Sequence, residues 1–165
     1  MVSQRLLREG VADETDLKEI IPPDYALDKG PVAVAECFQE IPCNPCSTYC
    51  RRGAIVLENI NDRPIIDYDR CNGCTLCVSK CPGLAIFVIN KNFSEDEATV
   101  TLPYEFLPLP KKGDVVITLD RYGSPVGKGK VVRVQNTRYN DKTPLITVTV
   151  PKDMIMNVRN IKVEA

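Results

Sequence analysis

Cys71-Asn72-Gly73-Cys74-Thr75-Leu76-Cys77-Val78-Ser79-Lys80-Cys81-Pro82 is an uninterrupted C-x2-C-x2-C-x3-C-P run. Three thiolates at successive x2 intervals, carried on a tight loop, aim at three iron corners of one 4Fe-4S cubane, and the fourth Cys before the proline reaches a second cluster. The spacing serves the chemistry, because a tight loop turns its sulfurs inward while its free amide N–H groups face the cluster sulfides. Gly73 permits close backbone approach, and Pro82 turns the chain away. A zinc site uses two separated C-x2-C pairs, so this run favours iron and sulfide.

Shifting the sequence by 31 positions carries Cys43, Cys46 and Cys50 onto Cys74, Cys77 and Cys81, and Gly53-Ala54-Ile55 onto Leu84-Ala85-Ile86. Such self-similarity marks a duplicated unit. The copy is imperfect. Position 40, where Cys71 calls for the first ligand, holds Glu40, and Arg51 replaces the proline after the fourth Cys. Two readings compete. Either the first site is incomplete, with a carboxylate or no ligand at one iron, or Cys37 supplies the missing thiolate across a longer C-x5-C loop. The 8 Cys of the chain divide into two complete sets of four, which favours Cys37. The plainer alternatives are a buried Cys37 thiol acting as a small hydrophobe and a redox dithiol at Cys43-Asn44-Pro45-Cys46, for which the required βαβ context is missing.

Composition narrows the chemistry further. The chain has 165 residues, no His, no Trp, and 21 basic against 22 acidic side chains. Without imidazole there is no Ser-His-Asp triad, no zincin helix and no Rieske centre, so the chemistry here is thiolate chemistry or comes from a partner. A near-neutral balance without a dense Lys/Arg run gives little attraction for nucleic acid or anionic lipid, and neither is expected as a partner. The longest apolar run, Leu84 to Ile89, is too short to span a bilayer, and the N-terminus shows no export signal, so a cytoplasmic location is expected. Grouped thiols in a reducing compartment read as metal ligands rather than disulfides.

All the cysteines lie between Cys37 and Cys81, which suggests an N-terminal arm over 1–36, a metal-stapled domain over 37–103 and a small all-β domain over 104–165. In the arm, Gln4–Arg8 and Asp13–Ile21 read as short helices, with Thr15 or Asp13 as N-cap, Pro22-Pro23 as the stop, and an extended stretch from Asp24 to Val34. In the middle, Ala54–Leu57 with Pro64–Tyr68, and Leu84–Ile89 with Ala98–Leu102, read as two hairpins. Pro108, Pro110 and Gly113 mark a linker. Strands are expected at Asp114–Leu119, Lys128–Asn136, Leu145–Val150 and Ile155–Val163, with a small antiparallel barrel as the economical fold. Lys128, Lys130, Arg133 and Arg138 form a modest basic stripe there, but docking onto a larger subunit is favoured over oligonucleotide binding.

The region from Cys37 to about Leu102 resembles the two-cluster bacterial ferredoxin module. The resemblance implies an α+β, pseudo-twofold βαββαβ fold and two 4Fe-4S clusters with interleaved ligands. Cys37, Cys43, Cys46 and Cys81 then hold the first cluster, and Cys71, Cys74, Cys77 and Cys50 the second. The phrase from Gly30 to Cys46 is further similar to the ferredoxin-type small subunit of multi-subunit flavin-dependent amino-acid dehydrogenases of the proline and hydroxyproline type. That similarity implies an electron-transfer subunit without a catalytic site of its own, in a hetero-oligomer whose partner subunits carry FAD or FMN. The competing function is a binding or regulatory module whose clusters are structural or sense oxidation, and a free ferredoxin is a further alternative. Arg51, Arg52, Arg70 and Lys80 fall close to the expected clusters, where positive charge raises a reduction potential; a solvated surface is the simpler reading.

Overall fold

The computed structural model describes residues 3–164. Three short helices open the chain, α1 (Gln4–Glu9), α2 (Glu14–Leu17) and α3 (Asp24–Lys29). Ser3 caps α1 by accepting the Leu6 N–H, and Gly10 ends it in the left-handed region at φ 73°. Asp13 caps α2 in a reciprocal capping box with Asp16. The helix expected to run to Ile21 relaxes into a turn after Leu17. The stretch expected to be extended from Asp24 to Val34 is corrected: Asp24–Lys29 is helical and only Val32–Ala35 is a strand, β1. Pro23 is the N-cap of α3, because the first turn has no use for a proline's missing N–H, and Asp24 suits the positive end of the helix.

After β1 come α4 (Pro45–Thr48), β2 (Ile55–Val56), β3 (Ile65–Ile66), α5 (Leu76–Lys80) and β4 (Ile86–Asn90). β1 pairs antiparallel with β4, and β2 with β3. The 31-position shift carries the pair Ala35↔Ile86 onto Ile66↔Ile55, and Val34↔Phe87 onto Ile65↔Val56. The sequence repeat is thus a twofold in the backbone. Its opening strand, Val32–Ala35, lies upstream of Cys37 and is buried at every position. A strand covered on both faces loses the polar alternation by which strands are read.

The expected second hairpin forms as β4 with β5 (Glu97–Pro103), in the register Val88↔Thr101. The tail contributes β6 (Val115–Leu119), β7 (Pro125–Gln135), β8 (Leu145–Pro151) and β9 (Asn160–Lys162). Among the described residues these strands do not close into the expected barrel. They continue one seven-stranded sheet in the order β1-β4-β5-β8-β7-β6-β9. β5 presents a free edge beside β4, and β8 takes it from Glu97↔Pro151 to Pro103↔Leu145, so the sheet runs across residues 103 and 104. β7 is long enough to pair with β6 through one half and with β8 through the other. It crosses β8 at Gly129, where a Cβ would stand 2.3 Å from the Thr149 carbonyl oxygen. The strand expected over Ile155–Val163 shortens to β9, preceded by a 3-10 turn at Lys152–Met154.

Each face of the sheet buries a different partner. Val32, Val34, Phe87, Ile89, Val100, Ile146 and Val148 pack on one face with Ala26, Ile155, Val158 and Ile161. The other face of β1 and β4 presents Ala33, Ala35, Ile86 and Val88 to Cys46, Cys77 and Val78. That second core is small, so the cysteine loops lean on few apolar side chains of their own. Arg159, 4% exposed, stacks 4.9 Å over the Phe87 ring at the margin of the first face. Burial pulls its guanidinium down to about 10, and the facing Glu36 carboxylate opposes that fall.

Candidate metal centre

The cysteines arrive on four pieces of the twofold. Cys46 and Cys77 ride on the short helices α4 and α5, with Cys43 and Cys74 just before them, and Cys50 and Cys81 just after. Cys71 ends the turn that follows β3, donating its N–H to the Asp67 carbonyl at 3.0 Å. Cys37 lies two residues past β1, in a segment without helix or strand. All eight are free thiols.

The folding brings them together in two cavities. Cys37, Cys43, Cys46 and Cys81 line one, with Gln39, Ile41, Asp62, Pro64, Pro82 and Ile86. Cys50, Cys71, Cys74 and Cys77 line the other, with Ala33, Arg52, Ala54, Ile55, Asn72 and Leu76. Each cavity takes three cysteines from one copy of the repeat and one from the other. Glu40, the residue standing where the repeat calls for a ligand, is exposed and lines neither. Among the described residues no three Cys, Asp or Glu side chains converge on a point suited to a single metal ion.

Backbone amides aim at several of the sulfurs, among them Cys37 from Gln39 and Cys46 from Ser47. Ala54 N–H donates to Cys50 Sγ at 3.2 Å and Ala85 N–H to Cys81 Sγ at 3.4 Å, a pair related by the 31-position shift. Ala33 N–H donates to Cys71 Sγ at 3.4 Å. Such donors orient each sulfur and hold it in place. The loops that present them use left-handed residues: Gly53 at φ 59° and its counterpart Leu84 at φ 52°. Gly73, at φ 64°, sits so close to Pro31 that a Cβ would meet the Pro31 Cβ at 2.6 Å. No side chain fits there.

Burial pushes the Cys46 thiol up to about 11 and the Cys77 thiol to about 12, and raises Cys37 as well, with Cys81 and Cys43 adding to the rise. These thiols keep their protons at neutral pH, so metal binding must displace them. The charged residues singled out in sequence divide. Arg52 lines the second cavity, and its Nε donates to the Arg70 carbonyl at 3.3 Å. Lys80 stacks 5.1 Å over the Tyr49 ring and pairs with Asp141 at 3.3 Å, while Arg51 is exposed. Of the aromatics, Phe87 belongs to the main core, Tyr68 packs against it, and Phe38 packs with the leader.

Sequence reading did not find Glu36, which accepts hydrogen bonds from Arg121 and Arg159. A lone glutamate carries no motif, and its partners lie 85 and 123 positions away.

The comparisons agree with the thiol chemistry. Residues 64–87 match the 4Fe-4S binding domain family, which places Cys71, Cys74, Cys77 and Cys81 in a ferredoxin-type iron–sulfur segment. Over 46 residues, 28% of this chain, the sequence is 44% identical to "Pyruvate synthase subunit PorD" of Methanocaldococcus jannaschii, covering 52% of that protein. It is 41% identical over 46 residues to the subunit of the same name from Methanothermobacter marburgensis, covering 51% of it. The chain thus spans about half the length of the curated relatives it matches. No solved structure matches it. These relatives are named as pyruvate synthase subunits, so the ferredoxin-type likeness is supported and the similarity to flavin-dependent amino-acid dehydrogenases drawn from Gly30 to Cys46 gains no support from them. Among the described residues no helix is long and apolar enough to cross a membrane.

Proposed function

We propose that this chain is an electron-transfer iron–sulfur subunit that holds two 4Fe-4S clusters and works inside a hetero-oligomeric oxidoreductase. Cys37, Cys43, Cys46 and Cys81 would hold the first cluster, and Cys71, Cys74, Cys77 and Cys50 the second. The observation that carries this reading is the sorting of eight free thiols into two cavities of four, each drawing on both copies of the repeat. A cubane spreads its thiolates over four corners, whereas a single ion needs them at one point, and these sites lack such a point.

When bound, such clusters supply one-electron exchange. The chain's own residues do the rest. Eight thiols give up their protons to become ligands, and Ala33, Ala54 and Ala85 aim N–H groups at ligand sulfurs. Ala35, Ile86 and Val88 keep water from the inner side. A complex of several subunits is the reading the relatives' name suggests, since each is called a subunit of pyruvate synthase.

Anaerobic purification with iron and sulfide counts, followed by a reductive titration watched by electron paramagnetic resonance, tests the reading. The expected result is about eight iron and eight sulfide per chain, four of each per cubane, in centres that reduce and reoxidise reversibly. Zinc in place of iron, about half that iron, or clusters that resist reduction would contradict it. Mass spectrometry of the chains that copurify distinguishes a pyruvate synthase from a flavoprotein partner.

A further inference from the structure

Resting on the two-cluster reading, we propose that the leader and the tail form a two-sided clamp that positions Cys37 as the off-motif thiolate of the first cluster, gripping it through its neighbours Glu36 and Phe38. In the second copy of the repeat the first ligand sits on the tight motif spacing and against β1. Cys71 and Cys74 are separated by two residues, Gly73 seats on Pro31, and the Cys71 sulfur accepts the Ala33 N–H. The first copy has the longer loop, in which Cys37 takes a backbone hydrogen bond from Gln39. Cys37 is five intervening residues from Cys43, and the connecting segment has no helix or strand. A longer, irregular loop leaves more freedom to the residue it carries, so something outside the loop must fix it.

Both flanking residues of Cys37 are held from outside. On the upstream side the Glu36 carboxylate accepts Arg121 Nε–H at 2.9 Å, a second bond from Arg121 Nη2, and Arg159 Nε–H at 2.6 Å. Both guanidiniums are themselves anchored. Arg121 Nη2 donates to the Met156 carbonyl at 2.6 Å, and Arg159 Nη1 donates to the carbonyls of Val158 at 2.6 Å and Ile155 at 3.1 Å. The Glu36 N–H donates to the Ala85 carbonyl at 2.7 Å, a bond both copies share, since Asp67 N–H donates to the Ala54 carbonyl at 2.7 Å; what sets Glu36 apart is its side chain. On the downstream side the Phe38 ring packs against Leu6, Ala12 and Leu17 of the leader.

The side chains of Glu36, Arg121 and Arg159 are 9%, 12% and 4% exposed. A buried ion triad is a poor source of stability, because desolvation offsets most of the attraction, but it demands one geometry. The twofold counterpart supports the same conclusion. Asp67 stands where the shift carries Glu36, and it makes a surface pair with Arg70 at 3.2 Å. The second copy's first ligand is held from β1 and the residues just before it, through Ala33 and Pro31, whereas the buried ion triad with the tail is found beside Cys37.

The experiment uses the full chain isolated anaerobically, as parent, Glu36→Gln, Arg121→Met with Arg159→Met, and Phe38→Ala. A pulse of iodoacetamide is followed by peptide mass spectrometry, with iron counted before and after gel filtration. The clamp requires Cys37, Cys43, Cys46 and Cys81 to be alkylated roughly tenfold faster in the variants, while Cys50, Cys71, Cys74 and Cys77 stay protected as in the parent. Iron should fall from about eight to about seven per chain where the weakened site converts to a three-iron form seen in the resonance spectrum, or about twofold where that cluster is lost. The protected second set is the internal control for folding. If the double arginine variant does not fold, Phe38→Ala, which trims a half-buried ring, carries the test. Unchanged labelling in folded variants overturns the clamp, as does equal exposure of both sets. A parent that carries fewer than two clusters overturns the underlying reading instead, and its iron count shows this before any variant is compared.

Discussion

The two copies of the repeat share their backbone devices and differ in how they complete a set of thiols. Residues 32–59 and 63–90 superpose by register: equivalent strand pairs, equivalent helices α4 and α5, equivalent left-handed residues Gly53 and Leu84, and equivalent amide-to-sulfur bonds from Ala54 and Ala85. Lys80 even stacks on Tyr49, its own counterpart across the twofold. Against this sameness, the second cavity takes its first cysteine, Cys71, from a C-x2-C spacing, and the first cavity is lined by Cys37, which stands six positions ahead of Cys43. Where the spacing is tight, the ligand loop needs only the adjacent strand β1 and Pro31 just before it. Where the loop is long, contacts distant in sequence stand in for the tight spacing.

The comparison breaks most readily at Gly73. A methyl group there would meet Pro31 backbone and ring atoms at 2.6 to 2.8 Å and sit on a left-handed residue. We expect Gly73→Ala to destabilise the chain by more than about 2 kcal/mol, read from thermal unfolding and from iron retained by the second set. Next in size is Glu36→Gln, which leaves two buried guanidiniums without their carboxylate and should cost about 3 kcal/mol in the limit of full desolvation, less if water enters. Denaturant unfolding measures it.

Gly53→Ala against Leu84→Gly is a subtler probe of the same backbone device. Adding a side chain at φ 59° should cost about 1 kcal/mol, while Leu84→Gly should recover part of the same strain at φ 52°. Opposite signs in matched unfolding curves would sharpen the equivalence, and equal signs would break it. The smallest effect belongs to Asp67→Asn. Its pair with Arg70 is exposed, so the expected loss is about 0.5 kcal/mol, several times below that of Glu36→Gln at the matching position.

How much of this was legible depended on whether a feature was local. The Cys71–Cys81 spacing, the 31-position shift and both hairpins stand in contiguous residues, and each left a mark in the sequence. The alternation of β1 was hidden because both of its faces are buried. Helix α3 was hidden because Pro22-Pro23 reads as a stop when it also serves as a start. The tail read as a barrel because its strands are short and turn-rich, and nothing local announces that β5 offers an edge to β8. Within the site, the cysteine sets follow from spacing and repeat. The Glu36, Arg121 and Arg159 triad joins residues up to 123 positions apart, and no pattern marks it.

The central claim is that the first copy completes its ligand set with Cys37 and not at position 40. Iron content and resonance spectra of anaerobically isolated Cys37→Ser, set beside Glu40→Ser and the parent, test it most directly. We expect Cys37→Ser to lose about half the iron or to hold a three-iron centre at the first site, and Glu40→Ser to match the parent. Full iron and an unchanged spectrum in Cys37→Ser, with loss in Glu40→Ser, would contradict it.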